Sequence, residues 1–318
     1  MKRILLFAFT FLAVNSIQAQ QDKQFTHYMF DKMSYNPATT GFRGYCGTLI
    51  YRNQWDRVER APNTTTFNAQ ANIPQYNLGV GLSFTNDAIG FMRTNTVGLN
   101  GAFHYPTTYG MLSAGLSLGI INVGFNPTWI PPTNTADANL PGALAGTGFD
   151  MNFGLYFHGN EGYYVGLSST HLAPPTLTAI NFNTRRHYYV IAGYDFPLSD
   201  YTGMTNKLIL KPNVLVKADG STATFDFNLM ADFWLNNASY IWGGFSYRLR
   251  DAIPLMIGYA FSPKADVSKD MLKFGYSFDI MTNPLNQYGK GTHELMLNYC
   301  MFPPPPIIPR HGNPFILQ

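Results

Sequence analysis

The sequence predicts an all-β protein, a closed antiparallel transmembrane β-barrel of about 14 strands with an N-terminal plug or periplasmic segment and a short C-terminal tail. Three observations support this fold class. Segments of roughly ten residues alternate apolar and polar side chains from residue 45 to residue 302, with turns between them. Aromatic residues make up 15% of the chain and charged residues only 12%, whereas about 25% of a soluble domain is charged. The chain also begins with a secretion signal.

Residues 1–19 are the predicted signal peptide. Lys2 and Arg3 precede an apolar core of about eleven residues, and Ala19 offers a small residue for cleavage. This core is too short to span a bilayer as a helix. The mean hydropathy of the whole chain is −0.09, and no later stretch is long and apolar enough to be a membrane-spanning helix. Export followed by insertion as a barrel is therefore expected.

The barrel is assigned to residues 45–302. Residues 222–235 show the alternation most clearly: one parity carries Phe225, Phe227, Leu229, Ala231 and Phe233, and the other carries Asp226, Asn228 and Asp232. Since a strand points successive side chains to opposite faces, this gives one apolar wall and one polar wall. Strands are predicted at 45–52, 64–73, 77–86, 93–105, 110–124, 148–158, 161–171, 185–196, 206–218, 222–235, 238–249, 252–261, 271–281 and 292–301. The even number is typical of bacterial barrels.

Two segments lie outside the repeat. Residues 20–44 are polar and aromatic, and three interpretations are open for them: a plug in the lumen, a periplasmic segment or a disordered leader. Residues 303–318 form a predicted periplasmic tail, because Pro303–Pro306 cannot donate hydrogen bonds to a sheet. If the first strand starts at the periplasmic side, most of the short turns lie in the periplasm. The runs 126–147 and 172–184 are then outer loops.

The two cysteines are predicted to form a disulfide. Cys46 opens the first strand and Cys300 closes the last, at the same rim and on the lumen parity. Barrel closure makes these two strands neighbours, and the compartment is oxidising. Two unpaired buried thiols are the alternative.

Charged side chains recur on the lumen parity, namely Arg52, Asp195, Lys207, Lys211, Lys217, Asp226, Asp232, Asp279 and Glu294. Buried charges are costly unless they are paired or hydrated. One interpretation is an internal network of salt bridges that packs the lumen. The other is a permeation path or a polar groove for a protein segment.

Catalysis, metal binding and nucleic-acid binding are not expected. The seven histidines are scattered along the chain, and none stands in a metal-ligand or catalytic spacing. The formal charge of +3 falls to +1 once Lys2 and Arg3 are removed, so no basic surface is indicated. We expect no enzyme activity, no cofactor, no metal site and no small-molecule substrate.

Specific strings resemble the PorP/SprF family of type IX secretion proteins over nearly the whole mature chain. The strings are Gln21–Phe30, Asn36-Pro37-Ala38 with Gly41, Tyr51–Trp55 with Pro62, Phe84 with Asn86-Asp87 and Gly90, Tyr247-Arg248 with Asp251, and Gly291–Leu297. The resemblance implies an outer-membrane protein of Bacteroidota that belongs to the type IX secretion and gliding-motility machinery. It further implies binding to components of that machinery or to a large secreted adhesin, and contact with outer-membrane lipid.

Two groups of residues are candidates for partner binding or plugging. Gln24, Phe25, Tyr28 and Phe30 are predicted to form a docking or plug segment. Arg52, Asn53, Gln54 and Trp55 are predicted to fix the first outer loop or the barrel interior. For both groups, a role in barrel closure and folding is the alternative.

Two other functions remain open. One is an outer-membrane channel for small or hydrophobic solutes, with residues 20–44 as a hatch. The other is a soluble secreted β-protein, although strands of about ten residues exceed the usual soluble length of about five or six.

Overall fold

The structure is a computed structural model that describes residues 22–127, 142–174, 176–177, 182–198, 207–220, 222–266 and 268–302. The predicted signal peptide and the Pro-rich tail lie outside the described residues, as does most of the predicted outer loop 126–147. No helix within the described ranges is long and apolar enough to cross a membrane.

The described residues form fourteen long strands: β1 (Tyr45–Asn53), β2 (Asn63–Ile73), β3 (Leu78–Ile89), β4 (Met92–Thr107), β5 (Gly110–Phe125), β6 (Leu144–Gly159), β7 (Tyr163–Thr170), β8 (His187–Tyr194), β9 (Leu208–Ala218), β10 (Ala223–Asn236), β11 (Ser239–Arg248), β12 (Ala252–Phe261), β13 (Asp270–Met281) and β14 (Thr292–Met301). Three two-residue strands add to them, at Thr176–Leu177, Phe182–Asn183 and Phe196–Pro197. The predicted strand positions agree with these bounds to within a few residues.

Each long strand pairs antiparallel with its neighbours in the chain, and the sheet closes on itself. At the seam, β1 pairs with β14 from Tyr45↔Met301 to Asn53↔His293. Closure satisfies the backbone groups that an open sheet leaves at its edges, which a lipid environment could not hydrogen-bond. The predicted closed antiparallel barrel is therefore confirmed.

The barrel has an apolar outer wall and a polar inner wall. On β10, Phe227 is 52% exposed on the outside, while Asp226 and Asn228 point inward and are buried. The other strands repeat this arrangement with outward side chains such as Leu49, Phe67, Leu82, Leu99, Leu116, Leu155, Val165, Ile241, Leu255, Phe274 and Leu297. So large an apolar surface is unfavourable in water and suits a bilayer.

A disulfide between Cys46 and Cys300 crosses the seam. The two residues are direct partners in the β1–β14 register, and both are buried. They are separated by 254 positions in the sequence, so only barrel closure brings them together.

Candidate functional site

Residues 22–44, which we call the lumen segment, lie inside the barrel. Their polar groups bond to strands on several sides of the wall: Asp22 to His187 of β8, His27 to Glu294 of β14, Asp31 to Asn68 of β2, and Asn36 to Leu155 of β6. A segment bonded to opposite sides of a closed wall must run through the space that the wall encloses.

Local sequence shapes the lumen segment into two 3-10 turns, Lys32–Ser34 and Pro37–Thr39. Asn36 caps the second turn, since its side chain accepts a hydrogen bond from the backbone N–H of Ala38. Proline at the next position supplies the φ that a helical turn needs and gives up no required donor. The Asn36-Pro37 pair therefore fixes the bend of this part of the segment.

Glycines on the inner wall let the backbone of the lumen segment approach closely. A Cβ at Gly79 would lie 1.8 Å from the carbonyl oxygen of Thr40, and a Cβ at Gly115 would lie 2.3 Å from the amide nitrogen of Ala38. Any side chain at these positions would push the segment off the wall. Glycine is used here for space rather than for an unusual φ.

Buried charges from five strands meet near the start of the lumen segment. Arg52 of β1 bonds to Glu294 of β14 (Nη1–Oε2 2.8 Å) and to Asp279 of β13 (Nη2–Oδ2 2.6 Å). All three side chains are at most 4% exposed. Arg52 gives one N–H to each carboxylate, and hydrogen bonds between ionised groups are about twice as strong as those between neutral ones.

A second arginine extends this group. Arg248 of β11 bonds to Asp226 of β10 (Nη2–Oδ2 3.0 Å) and to Asp279 (Nη1–Oδ2 3.2 Å). Asp279 therefore lies between the two arginines. We call Arg52, Asp226, Arg248, Asp279 and Glu294 the charged anchor.

The lumen segment is bonded directly to the charged anchor. Glu294 accepts hydrogen bonds from the backbone N–H of Thr26 (2.9 Å) and of His27 (2.8 Å). Because a carboxylate only accepts, the His27 ring donates from Nδ1 to the same side chain over 2.7 Å. The Thr26 hydroxyl bonds to Asp279 (3.0 Å) and accepts from Arg52 (3.0 Å). The anchor thus holds both the wall and the segment.

The predicted docking residues Gln24, Phe25, Tyr28 and Phe30 all lie in the lumen segment. Gln24 donates to Asp226 of the anchor over 3.4 Å, and the Tyr28 hydroxyl donates to Asn213 of β9. Phe25 packs edge-on against Tyr35, and Phe30 packs on Trp242 of β11 with ring centroids 4.7 Å apart. These residues make contacts within the barrel, and whether any of them also binds a partner stays a prediction.

The residues Arg52 to Trp55, which were predicted to fix the first outer loop or the barrel interior, lie in two different places. Arg52 belongs to the charged anchor, whereas Asn53 ends β1 and Gln54 and Trp55 begin the β1–β2 loop. The backbone N–H of Gln54 donates to Pro62, and that of Trp55 donates to the Thr292 hydroxyl over 3.3 Å. These two bonds hold the loop at the rim opposite the disulfide. Neither of them reaches the lumen segment.

Sequence reasoning did not single out Thr26, His27 and Arg248 as site residues. The lumen parity marked Asp226, Asp279 and Glu294 as inward charges, but it did not show which arginine each one meets. The sequence held one signal for these three residues: Tyr247-Arg248 and Thr26-His27 both lie in strings that resemble the family.

A second polar cluster, separate from the anchor, lies at the start of the lumen segment. Asp22 meets His171, which follows β7, at 3.7 Å, and His171 also bonds to Asp150 of β6 over 2.9 Å. Burial lowers the pKa of His171, but the hydrogen bonds to Asp150 and Asp22 outweigh it and raise the pKa to about 10. Burial opposes ionisation of Asp22 as well, yet the bond from His171 holds the pKa of Asp22 well below its ordinary value. This cluster was not predicted, because its members are far apart in the sequence.

Asp31 is a further buried titratable group in the lumen segment. It accepts hydrogen bonds from the Ser34 hydroxyl and from the Asn68 amide, each over 2.6 Å, on Oδ2. Its Oδ1 atom has no hydrogen-bond partner among the described residues. Burial raises the pKa of Asp31 to about 6 despite the two hydrogen bonds.

This pKa makes stability depend on pH. The pKa of Asp31 is higher in the folded protein than in the unfolded chain, so the protonated carboxyl stabilises the fold. This contribution to the free energy of unfolding is fully present below about pH 4 and is lost as pH rises through about 6. We therefore expect the wild type to lose about 3 kcal/mol relative to Asp31→Asn over that range. Urea unfolding in detergent at several pH values measures the difference between the two proteins. Parallel pH profiles for the two would contradict the expectation.

Comparison with known proteins gives one family and several barrels. The family model described as Type IX secretion system membrane protein PorP/SprF matches residues 17–299. No curated protein matches the sequence. Among solved structures, the toluene transporter TbuX of Ralstonia pickettii is similar with a TM-score of 0.54 at 13% identity, covering 86% of this chain and 94% of that chain. The CymD monoaromatic hydrocarbon channel is similar with a TM-score of 0.50 at 11% identity, covering 85% and 91%. At these identities the likeness concerns the fold alone.

Proposed function

The chain belongs to the PorP/SprF family of type IX secretion system membrane proteins, and from this premise we propose that it acts in the outer membrane by binding other proteins. Its partners in this proposal are components of the secretion machinery and a large secreted adhesin. The barrel supports export of the adhesin or holds it at the cell surface. No catalysis, cofactor or small-molecule substrate is part of this role.

The observation that carries the proposal is the lumen segment bonded to the charged anchor. Glu294 binds the backbone of Thr26 and His27 as well as Arg52, so releasing the segment would leave buried charges with fewer partners. A segment bonded in this way is part of the folded barrel. This favours a rigid scaffold that presents its rims to protein partners over a barrel that opens for solutes.

The rims offer the surfaces for such partners. The β1–β2 loop that contains Gln54 and Trp55 is braced against the loop before β14, because Asp56 exchanges backbone hydrogen bonds with Lys290 and Gly291. A braced loop loses little conformational entropy when it binds. We assign the adhesin to this rim, which the predicted orientation places outside the cell.

A channel for small or hydrophobic solutes is the alternative function. The solved barrels with a similar fold are named as a toluene transporter and a monoaromatic hydrocarbon channel. The inner wall here carries Arg52, Arg248 and Asp226 next to the lumen segment, and such a lining does not suit an aromatic hydrocarbon. The likeness in fold therefore lends this alternative only weak support.

Matched glycine variants separate the two functions. Gly115→Val is expected to displace the lumen segment, since even a Cβ there would meet the backbone of Ala38. Gly101→Val on the neighbouring strand β4 is the control, because a Cβ there has nothing within 4 Å. In planar bilayers, the wild type and Gly101→Val should be electrically silent, and Gly115→Val should conduct ions.

The same proteins should then be affinity-purified from the native host after cross-linking. The proposal expects the large adhesin or type IX secretion proteins to co-purify with the wild type and with Gly101→Val. A wild type that conducts small solutes and retains neither class of partner would contradict protein binding and would support the channel.

A further inference from the structure

The cluster at the start of the lumen segment has the composition of a metal site. One carboxylate oxygen of Asp22 and one ring nitrogen each of His171 and His187 lie within 4.8 Å of one another. They come from three separate parts of the fold: the lumen segment, the residue after β7 and the first residue of β8. Two imidazoles and one carboxylate are a common ligand set for zinc and related divalent ions.

The orientation of the two rings is the stronger observation. Nδ1 of His171 lies 2.9 Å from Asp150 Oδ1, and Nδ1 of His187 lies 3.0 Å from the backbone oxygen of Arg185. A carboxylate and a carbonyl only accept, so each Nδ1 carries a hydrogen and each Nε2 faces Asp22. Metal-binding histidines are held in this way, with the outer ring nitrogen donating to a carboxylate or a carbonyl.

We propose that Asp22, His171 and His187 bind one divalent transition-metal ion, with Zn²⁺ as the ion that the ligand set favours. The metal would join the start of the lumen segment to β7 and β8, and so add a second attachment point to the charged anchor. This proposal does not depend on the role in secretion.

The geometry requires only local movement. Ligand atoms about 2.0–2.1 Å from a tetrahedral zinc lie about 3.3 Å apart, so the three atoms must approach one another by up to about 1.5 Å. The Asp22 side chain is 22% exposed, and in moving toward the two rings it would exchange its hydrogen bond from the Tyr189 hydroxyl (2.8 Å) for the metal. His187 would exchange the N–H of Asp22, now 3.1 Å from its Nε2, for the metal.

The surroundings suit a dication in charge and in access. The carboxylates of Asp22 and Asp150 both bond to His171, and a metal ion would take the place of the proton that His171 shares with Asp22, releasing it to solvent. Lys217 bonds to the backbone oxygen of Asp22 over 2.7 Å and leaves both carboxylates to the site. A polar cavity of about 90 Å³ borders Asp22 and His171. It has room for water molecules, one of which would complete the coordination.

The test uses the whole barrel in detergent after removal of metals with a chelator. Titration with Zn²⁺ should give one site per barrel, and Co²⁺ in its place should give the visible absorption of tetrahedral cobalt. His187→Gln keeps an acceptor for the N–H of Asp22 but should weaken binding by at least about 100-fold. Asp150→Asn, which alters only the support of His171, should weaken binding by about 10–100-fold.

The control is His158→Gln, which changes a half-buried lumen histidine outside the cluster. It should bind Zn²⁺ like the wild type. A wild type that takes up no stoichiometric Zn²⁺ or Co²⁺ would overturn the proposal even if a variant fails to fold. So would equal effects of His187→Gln and His158→Gln.

Discussion

Replacing Arg52 with methionine is expected to lower the free energy of unfolding of the barrel by about 3–5 kcal/mol. Methionine keeps much of the side-chain volume but removes the charge that pairs Asp279 and Glu294. Both carboxylates are buried, with side-chain exposures of 2% and 0%, so Glu294 loses its arginine and Asp279 keeps only Arg248. Urea unfolding of the detergent-solubilised barrel, followed by tryptophan fluorescence, measures the loss.

The matched control is Arg57→Met in the adjacent β1–β2 loop. The Arg57 side chain is 65% exposed and lies 3.9 Å from Asp56, so its replacement should change stability by less than about 1 kcal/mol. Adding Glu294→Gln to the Arg52 variant should restore part of the loss, since it removes a buried charge that no longer has its arginine. If Arg52→Met and Arg57→Met cost the same, the charged anchor has no special part in stability.

The disulfide across the seam gives the second large expected effect. Closing a loop that spans 254 positions restricts the unfolded chain, and the chain-entropy treatment assigns about 5 kcal/mol to a loop of this size. Measured values for such bonds are usually about 2–4 kcal/mol. We therefore expect Cys46→Ala/Cys300→Ala to unfold at a clearly lower urea concentration than the oxidised wild type.

Reductant provides the internal control for this prediction. Wild-type barrel refolded with reductant should match the double alanine variant, and the variant itself should not respond to reductant. Coincident unfolding curves for the oxidised and reduced wild type would show that the hydrogen bonds of the β1–β14 pairing hold the seam without the disulfide.

These two expectations concern the same region of the barrel. Arg52 and Cys46 lie on β1, and Glu294 and Cys300 lie on β14, so the seam carries a covalent bond near one rim and buried ion pairs further along. The lumen segment bonds to the seam through Glu294. Closure of the barrel and placement of the segment are therefore coupled, and the family-like strings near residues 21–30 and 291–297 meet in space.

The alternation of side chains was sufficient to predict the barrel, its strand positions and its two faces. Phe227 and Asp226 illustrate why. Successive side chains of a strand point to opposite faces, so each side chain of the barrel wall faces either the lipid or the lumen. The same parity placed Arg52, Asp279 and Glu294 inside. It also placed Cys46 and Cys300 at one rim, because closure makes the first and last strands neighbours.

The sequence by itself thus determined that this chain closes into a membrane barrel with charged side chains in its lumen. The reason is that the alternation of apolar and polar side chains is a property of neighbouring residues in the chain. Only the tertiary structure decided which charges meet, where Thr26 and His27 bond, and that Asp22, His171 and His187 converge. The physical reason is that contacts across the lumen depend on distances between strands that are remote in the chain. No local pattern encodes those distances.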